Sequence, residues 1–318
     1  MKRILITGFS GFVSEYLLDL LNDIADQYEV IGLSRSYNFE SKIRKNLHVK
    51  LVKLDLNDKE HLREVLYLTR PDYIFHLASD SSVSYSWQKP IESFQNNTNI
   101  FLNLIESVRA LNTECKILSI GSSEQYGIVD PESIPLTEEA TLNPISPYAV
   151  ARVSQELLSK VYNRGYGLDI IMTRSFNHIG PGQKENFVVS SFAKQIVAYK
   201  AGLIPNIKVG NLDIVRDFLD VRDVVKAYML LMQNGIGGQV YNICSGNGYS
   251  LKQILHMMMS IAGIEVEYSI DKELIRPSDN PIIIGSNKKI KDELGWYPSY
   301  SIDASLRDIL TYWEQRLK

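Results

Sequence analysis

The first 175 residues alternate between two hydrophobic patterns. Short runs of consecutive apolar residues are separated by longer segments in which apolar residues recur every three or four positions. The short runs predict buried strands and the longer segments predict amphipathic helices, an alternation typical of βαβ units that form a parallel sheet. The predicted strands are, in order, "RILITG", "EVIGLSR", "VKLVKLDL", "DYIFHLAS", "CKILSIGSS" and "LDIIMTRSFN".

The pattern becomes less regular after Asn177. A helical pattern at 220–234 and an apolar run at 239–246 look like returns to the sheet. We therefore predict an α/β fold, a doubly wound parallel sheet with a smaller C-terminal lobe built from discontinuous segments. The sheet domain is predicted to cover 1–175, with 212–246 returning to it, and the lobe to cover mainly 176–211 and 247–318.

Composition narrows the class of protein. Of the 318 residues, 45% are hydrophobic and 22% are charged, and the net charge of −3 indicates no surface for nucleic acid or anionic membrane. No apolar run approaches the roughly 20 residues of a membrane span, and the apolar N-terminal stretch is too short for a secretory signal. Cys115 and Cys244 lie far apart inside apolar runs, which indicates reduced thiols in a cytoplasmic protein. The five histidines lack metal-ligand spacing, so we predict no metal.

Glycines follow the first predicted strand, where the next helix begins. Gly8 and Gly11 have G-x-x-G spacing, and Ser14 stands where a third glycine is expected. Glycine here lets the backbone approach a pyrophosphate that binds at the helix N-terminus, although a plain strand–helix turn would also favour glycine. The hypothesis is a Rossmann dinucleotide site in which Ser14 mainly affects helix–strand packing. Its predicted cofactor-binding residues are Gly8, Ser10, Gly11, Phe12 and Val13.

The end of the second predicted strand bears on the choice of cofactor. NAD sites place a carboxylate there for the ribose 2′-hydroxyl, whereas this chain has Ser34 and Arg35. Arg35 can pair with a 2′-phosphate and stack on adenine, so NADP is favoured over NAD; the alternative is a solvated surface arginine. After the third strand, Asp55 is suited to bind the adenine amino group, with Leu56 beside it. The alternative for Asp55 is to cap the following helix.

Eight motifs occur in an order that resembles the extended short-chain dehydrogenase/reductases that act on nucleotide sugars. The resemblance covers essentially the whole chain, and the motifs are "TGFSGF", "HLASDSSV", Asn97, "GSSEQYG", "SPYAVAR", "RSFNHIGPGQ", "VRDFLDVRDVV" and "RPSD". It implies an NADP(H)-binding Rossmann fold. It also implies further cofactor contacts from Leu77, Ala78, Ser79 and Asn97.

The resemblance implies a catalytic set at the end of the fifth strand and the start of the next helix. Tyr148 would be the general acid, and Ser122 would hydrogen-bond the sugar oxygen. A phenol has a pKa of about 10 in water, so such an acid needs a nearby cation. The family uses a lysine that also hydrogen-bonds the nicotinamide ribose, but this chain has Arg152. Arginine keeps the charge and the donors in a bulkier, planar group, so we expect an active enzyme in which Tyr148 and Arg152 also contact the cofactor.

Within the family, the motifs are most similar to those of reductases that act on a GDP-linked 4-keto-6-deoxyhexose, as in GDP-rhamnose synthesis. The resemblance therefore implies NADPH-dependent reduction of a C4 ketone. Glu124 keeps a 4,6-dehydratase as the alternative, because those enzymes place an acid at this position. Their sequence reads closer to "NHESPRRG" than to the "NHIGPGQ" of this chain, which favours the reductase. A catalytically weak dinucleotide sensor is a third hypothesis, and only Arg152 suggests it.

The resemblance also implies residues that bind the sugar nucleotide. Arginine suits a diphosphate because its guanidinium pairs with two oxygens at once, but ion pairs with Asp217, Asp223 or Asp279 are the alternative. The helices near 91–111 and 146–164 dimerise in the family, which implies a homodimer. The predicted substrate-binding residues are Ser81, Ser123, Asn177, Lys194, Arg216 and Arg276.

Overall fold

The structure is a computed structural model that describes residues 1–36, 44–275 and 280–317. Its strands are β1 (Lys2–Thr7), β2 (Tyr28–Ser34), β3 (Val49–Lys53), β4 (Tyr73–His76), β5 (Lys116–Ser122), β6 (Asp169–Ser175), β7 (Asn177–Ile179), β8 (Ile207–Val209), β9 (Val215–Asp220), β10 (Val240–Ile243), β11 (Gly248–Ser250), β12 (Tyr268–Ile270) and β13 (Ile282–Ile283). Its α-helices are α1 (Phe12–Asn22), α2 (Lys59–Thr69), α3 (Val83–Gln88), α4 (Pro90–Ala110), α5 (Pro147–Tyr166), α6 (Val188–Lys200), α7 (Val221–Asn234), α8 (Leu251–Ala262), α9 (Lys288–Leu294) and α10 (Ile302–Arg316).

Seven strands form one sheet in the order β10-β6-β5-β4-β1-β2-β3. All neighbouring strands are parallel, so their carboxyl ends lie at one edge. The register places Thr7 of β1 beside His76 of β4, and His76 beside Ser119 of β5. The predicted doubly wound α/β fold is confirmed. Ligands of such sheets bind at the carboxyl edge, where the segments that follow β1, β4 and β5 meet.

Helices cover both faces of this sheet. Successive side chains of a strand point to opposite faces, and along β1 they join two different cores. Ile4 and Ile6 pack with α1 and α7, whereas Leu5 packs with α2, α4 and α5. Burial on both faces explains why these strands read as continuous apolar runs instead of alternating ones.

The C-terminal lobe has a core of its own. Helices α6, α8 and α10 pack together around buried side chains that include Phe192, Met258 and Trp313. One small sheet contains β11, β9 and β13, with β7 paired to β9, and a second contains β12 and β8. Most of these strands have only two or three residues, which is too short to produce a readable hydrophobic pattern.

The segment 212–246 divides between the two sheets. β9 pairs with β7, β11 and β13 in the lobe, whereas α7 packs on α1 and β10 pairs with β6 in the large sheet. The return to the large sheet therefore begins at α7 and not at residue 212. β9 reads "VRDFLD", and its charged residues distinguish it from the apolar runs of the large sheet.

The residues that the structure describes include neither a membrane-spanning helix nor a metal cluster. Among those residues, no helix combines the length and the apolar character needed to cross a membrane. Nor does any set of three or more His, Cys, Asp or Glu side chains in these ranges come together as a metal site. Cys115 and Cys244 are free thiols, and burial raises the pKa of Cys115 to about 12.

Candidate active site

The turn after β1 is shaped by two glycines. Gly8 has a positive φ of 67°, and a Cβ placed there would lie 2.6 Å from the backbone nitrogen of Ala78, so this turn lies against the loop after β4. The Gly11 N–H donates to the Gly8 carbonyl at 2.8 Å, and Gly11 directly precedes α1 as an N-cap that has no side chain. The first residues of α1, Phe12 and Val13, are half-buried. This geometry is typical of a turn that presents a helix N-terminus to an anion.

Ser14 stands where a third glycine is expected, and its side chain points away from solvent. It is fully buried, and its hydroxyl shares its one hydrogen between the Gly11 carbonyl, at 2.8 Å, and the Phe9 carbonyl. The extra atoms are therefore accommodated between helix and strand, with the hydroxyl hydrogen-bonded to the backbone of the same turn.

The ends of β2 and β3 carry the residues predicted to bind the adenosine half. Ser34 is buried, whereas Arg35 is exposed and has no ion-pair partner among the residues that the structure describes. Asp55 is exposed and accepts a hydrogen bond from the Asn57 N–H at 2.9 Å. The helix-cap alternative for Asp55 is wrong, because Asp58 is the cap and accepts from the His61 N–H at 3.1 Å. A cap must directly precede the helix whose N–H groups it binds, and Asp55 lies three residues too early.

The loop after β4 is held from two sides. The Ala78 N–H donates to the Thr7 hydroxyl at 3.1 Å, which joins the loop to the end of β1. From α4, the buried Asn97 side chain accepts from the Asp80 N–H at 2.9 Å and donates to the Asp80 carbonyl at 3.2 Å. Both polar atoms of Asn97 thus fix the loop. Leu77 and Ser79 are half-buried in this loop, Ser81 is exposed, and Leu56 after β3 is buried.

Ser122 ends β5 and begins a short 3-10 turn, Ser123–Tyr126. Its hydroxyl accepts from the Glu124 N–H at 3.2 Å, and its own N–H donates to the Gln125 side chain at 2.8 Å. A hydroxyl has one hydrogen to donate besides the lone pairs that accept, so Ser122 can still donate to a ligand oxygen. Ser123 is buried and Glu124 is half-buried.

Tyr148 and Arg152 lie one turn apart at the start of α5. Ser146 caps this helix by accepting from the Ala149 N–H at 3.1 Å, and Pro147 occupies its first position. Tyr148 is 6% exposed and Arg152 is 4% exposed, with the guanidinium carbon 5.2 Å from the centre of the tyrosine ring. Among the described residues, none forms a hydrogen bond with the Tyr148 hydroxyl. The arrangement places a buried cation against a phenol whose oxygen keeps its hydrogen-bonding capacity.

The Arg152 guanidinium has partners on three elements. One terminal nitrogen donates to the Ile120 carbonyl at 3.0 Å and to the Gln155 side chain at 2.6 Å, and the other donates to the Ser79 hydroxyl. Both terminal nitrogens of the planar group are therefore hydrogen-bonded. Sequence reasoning identified Arg152 but none of the contacts that orient it.

His76 was missed as a site residue. It ends β4, is buried, and lies with its Nδ1 3.0 Å from the Thr7 hydroxyl. Burial, together with the nearby charge of Arg152, lowers the pKa of His76 to about 3, so the imidazole is neutral. The available signal was a polar residue inside the apolar run "DYIFHLAS".

The residues predicted to bind the sugar nucleotide lie in or beside the lobe. Arg216 on β9 is buried and donates to the Asn280 carbonyl at 2.8 Å, and Asn177 begins the neighbouring β7. Lys194 on α6 pairs with Glu185 at 2.5 Å. Arg276 and Asp279 lie outside the described residues.

For Arg216, the ion-pair alternatives with Asp217 and Asp223 are wrong. Asp217 is buried and accepts from the Ser245 N–H at 2.8 Å, the Ser245 hydroxyl at 2.6 Å and the Gly246 N–H at 2.9 Å. Asp223 accepts from the Ser299 and Tyr300 N–H groups at 2.7 and 2.8 Å. Both carboxylates fix loops instead of neutralising Arg216.

Comparison with known proteins covers almost the whole chain. The family model described as GDP-mannose 4,6-dehydratase matches residues 5–309. The chain belongs to this family. One relative of the chain is GDP-6-deoxy-D-mannose reductase from Pseudomonas aeruginosa, which is 34% identical over 100% of this chain and 99% of that protein. GDP-6-deoxy-D-talose 4-dehydrogenase from Aggregatibacter actinomycetemcomitans is 30% identical, over 92% and 91%.

A solved structure of RMD from Pseudomonas aeruginosa complexed with NADPH superposes on this family member with a TM-score of 0.84. Its sequence is 33% identical, over 99% of this chain and 100% of that one. The features of this chain fit such a dinucleotide: the glycine turn presents the N-terminus of α1 to a pyrophosphate, and the buried Arg152 lies at the same carboxyl edge. The glycine turn, the loop after β4, Ser122 and α5 meet at that edge, whereas Arg216 and Lys194 belong to the lobe.

Proposed function

We propose that the protein reduces the C4 ketone of a GDP-linked 4-keto-6-deoxyhexose with NADPH. The relatives named GDP-6-deoxy-D-mannose reductase and GDP-6-deoxy-D-talose 4-dehydrogenase and the NADPH-bound structure support this proposal. The observation that carries it is the Tyr148 side chain, which lies 5.2 Å from a buried guanidinium at the carboxyl edge of the sheet. A phenol beside a fixed cation is a suitable proton donor for a ketone oxygen that gains charge during reduction.

In this proposal the chain binds NADP through two kinds of contact. The amides of the turn at Gly8–Val13 bind the pyrophosphate, and Arg35 binds the 2′-phosphate while Asp55 accepts from the adenine amino group. The loop Leu77–Ser79 lies along the nicotinamide half, where Arg152 donates to the ribose as the family's lysine does. NADPH, when bound, supplies the hydride.

The proposed roles at the sugar follow from the donors available. Ser122 donates a hydrogen bond to the C4 oxygen, and Tyr148 transfers its hydroxyl proton to that oxygen as the carbonyl is reduced. Arg152 stabilises the phenolate that this transfer leaves behind. The diphosphate is bound by Arg216 and Arg276, as charge-assisted pairs to phosphate are strong. The remaining proposed contacts to the sugar nucleotide are Ser81, Ser123, Asn177 and Lys194.

We also propose a cytoplasmic homodimer. The two free thiols suit a reducing compartment. The packed helices α4 and α5 expose Ile91, Val150, Leu157 and Val161 by 70%, 42%, 54% and 59%, a set of apolar side chains that a second copy would cover. Sedimentation of Leu157→Asp should give a monomer, and Leu203→Asp, at an exposed position outside these helices, should leave the dimer intact.

A 4,6-dehydratase is the second candidate function. It rests on the half-buried Glu124, two residues beyond Ser122 at the end of β5, and on the name of the family model. In that reaction a carboxylate at Glu124 would assist loss of water from C5 and C6, and the cofactor would be regenerated in each turnover.

One experiment separates the two candidates. The purified protein is incubated with NADPH and GDP-4-keto-6-deoxymannose, and separately with GDP-mannose and NADP. We expect NADPH oxidation and a GDP-6-deoxyhexose in the first reaction and no product in the second. Formation of the 4-keto sugar from GDP-mannose, without NADPH consumption in the first reaction, would instead establish the dehydratase.

A further inference from the structure

Gln155 lies one turn after Arg152 on α5, and every polar atom of its side chain is used. It is 1% exposed, and its Nε2 donates to the Ser119 hydroxyl at 2.9 Å and to the Ile120 carbonyl at 3.1 Å, both on β5. An amide donates only from its nitrogen and accepts only at its oxygen. With the nitrogen held by β5, Oε1 faces Arg152 and accepts from its terminal nitrogen at 2.6 Å.

The guanidinium of Arg152 bridges two strands beyond the point where their pairing ends. The register between β4 and β5 stops at His76 and Ser119. Past that pair, Arg152 donates to the Ile120 carbonyl of β5 at 3.0 Å and to the Ser79 hydroxyl after β4. Three acceptors, from β5, from the loop after β4 and from α5 itself, therefore determine the plane of the guanidinium beside Tyr148.

A guanidinium needs such acceptors more than an ammonium group does. Its five donors lie in one plane in fixed directions, whereas the three hydrogens of a lysine ammonium rotate to whatever acceptor is near. The Nε of Arg152 already has no hydrogen-bond partner among the described residues. If the Gln155 oxygen were lost, a second buried donor would be left unsatisfied, and the guanidinium would turn away from Tyr148 to find another acceptor.

We propose that Gln155 is a positioning residue that fixes the Arg152 guanidinium beside Tyr148, and that it is the determinant that allows arginine to act where the family uses lysine. The expected effect on turnover rests on the proposed reductase function. The orientation and immobility of the buried Arg152 side chain do not depend on that function.

The alternative is that Gln155 only fills a polar position between α5 and β5. Ser159 provides a matched control, because it lies one turn further along the same helix face, is fully buried, and contacts the Ser119 hydroxyl at 3.3 Å without touching Arg152. A change that acts through packing alone should be reproduced by Ser159→Ala.

The experiment is a double-mutant cycle on the full chain with Gln155→Leu, Arg152→Lys, both changes together, and Ser159→Ala. Gln155→Leu is expected to lower kcat on the 4-keto sugar by about 10- to 100-fold, the size of a misplaced general-acid partner, with the sugar KM within about threefold. In the Arg152→Lys background the same change should cost less than about threefold, because the rotating ammonium does not depend on Gln155. Ser159→Ala should leave kcat within about threefold of wild type in both backgrounds.

A second readout does not depend on turnover. In nitrogen-15 NMR spectra of the protein, the side-chain signals of Arg152, assigned by their loss in Arg152→Lys, should show slow rotation of the guanidinium in the wild type and in Ser159→Ala. They should show fast rotation in Gln155→Leu. If that variant does not fold, Gln155→Met keeps the length of the side chain without its amide oxygen and should likewise show fast rotation.

The outcomes separate the two proposals. A wild type that does not reduce the 4-keto sugar contradicts the proposed function, while the NMR comparison still tests the role of Gln155. Equal losses of kcat from Gln155→Leu in both backgrounds, or slow guanidinium rotation that persists in Gln155→Leu, would show that Gln155 does not position Arg152.

Discussion

The glycine turn after β1 and the Tyr148–Arg152 pair on α5 face the same edge of the sheet, but they are built by different means. In the turn the functional groups belong to the main chain, and side chains hydrogen-bond to that main chain, as the Ser14 hydroxyl does to the Gly11 carbonyl. On α5 the functional atoms are the ends of long side chains, and Arg152 is held by residues from other elements. Ser14 and Arg152 both depart from the family pattern. Ser14 is accommodated by contacts within its own turn, whereas Arg152 depends on contacts with three elements. Changes in the turn should alter stability and cofactor affinity, whereas changes on α5 should alter turnover.

The largest effect is expected from Tyr148→Phe. Removing the hydroxyl removes the proposed proton donor and should lower turnover by about 10³-fold, which corresponds to about 4 kcal/mol of barrier. Affinity for NADPH should change by less than about fivefold, because the ring still packs beside Arg152, and that difference is about 1 kcal/mol. Steady-state kinetics and cofactor titration measure both quantities. Tyr166→Phe, at an exposed tyrosine of the same helix, is the control, and turnover of Tyr148→Phe within tenfold of wild type would argue against the general-acid role.

The turn is tested by comparing Gly8→Ala with Gly263→Ala. Both glycines have a φ of 67°, but a Cβ at Gly8 would lie 2.6 Å from Ala78, whereas a Cβ at Gly263 would meet nothing within 4 Å. The backbone conformation should cost each variant about 1–2 kcal/mol of unfolding free energy. Contact with the β4 loop should add about 1–3 kcal/mol at Gly8 alone, since the turn or the loop must shift.

Urea denaturation and NADPH titration check this pair of variants. Only Gly8→Ala should also weaken NADPH binding. Equal destabilisation of the two variants would mean that the turn tolerates a side chain and that its approach to the loop is unimportant.

Arg35→Ala tests the side chain predicted to favour NADPH over NADH, at the same end of the site as the glycine turn. Loss of charge-assisted hydrogen bonds to the 2′-phosphate should weaken NADPH binding by about 1.5–3 kcal/mol, while NADH binding stays nearly unchanged. Calorimetric titration of both cofactors against wild type, Arg35→Ala and the exposed-site control Arg63→Ala gives the comparison. Wild-type protein that binds NADH and NADPH equally well would rule out a 2′-phosphate contact from Arg35.

His76 lies between the two regions. It contacts the Thr7 hydroxyl, at the end of β1 before the turn, and the charge of Arg152 helps to lower its pKa. Its pKa is lowered to about 3 in the folded protein, whereas an unfolded histidine titrates near 6.5. Between those values the unfolded state binds a proton that the folded state does not. The stabilisation is therefore fully present above about pH 6.5 and is lost as pH falls, at about 1.4 kcal/mol per pH unit.

His76→Phe should remove this contribution to the slope of unfolding free energy against pH. Urea denaturation between about pH 7 and pH 4.5 measures the slope, and His48→Phe, at an exposed site, is the control. An unchanged slope in His76→Phe would mean that the imidazole is not held neutral by burial.

The sequence patterns predicted the parts of this molecule that depend on neighbouring residues. The apolar runs and the glycine spacing predicted the large sheet and its first turn, because strand burial and a positive φ each leave a local signature. The partners of Arg152 could not be predicted, since Ser79, Ile120 and Gln155 lie on separate elements and only the strand register brings them together. The same limit applies to β9, because its charged residues Arg216 and Asp217 interrupt the apolar pattern that marks the strands of the large sheet. Its burial depends on pairing with strands that are distant in the sequence.

Strand β10 has a consequence for the synthesis of the chain. It completes the large sheet by pairing with β6, although β7, α6, β8 and β9 of the lobe are translated between the two strands. A chain emerges from the ribosome N-terminal end first, so the outer edge of β6 stays without its neighbour until Val240–Ile243 have been made. An uncovered strand edge is a template for pairing with another chain. Translation between Ser175 and Val240 is thus the interval in which the nascent protein is most exposed to aggregation, and slow codons there should lower the yield of folded enzyme more than slow codons after Ile243.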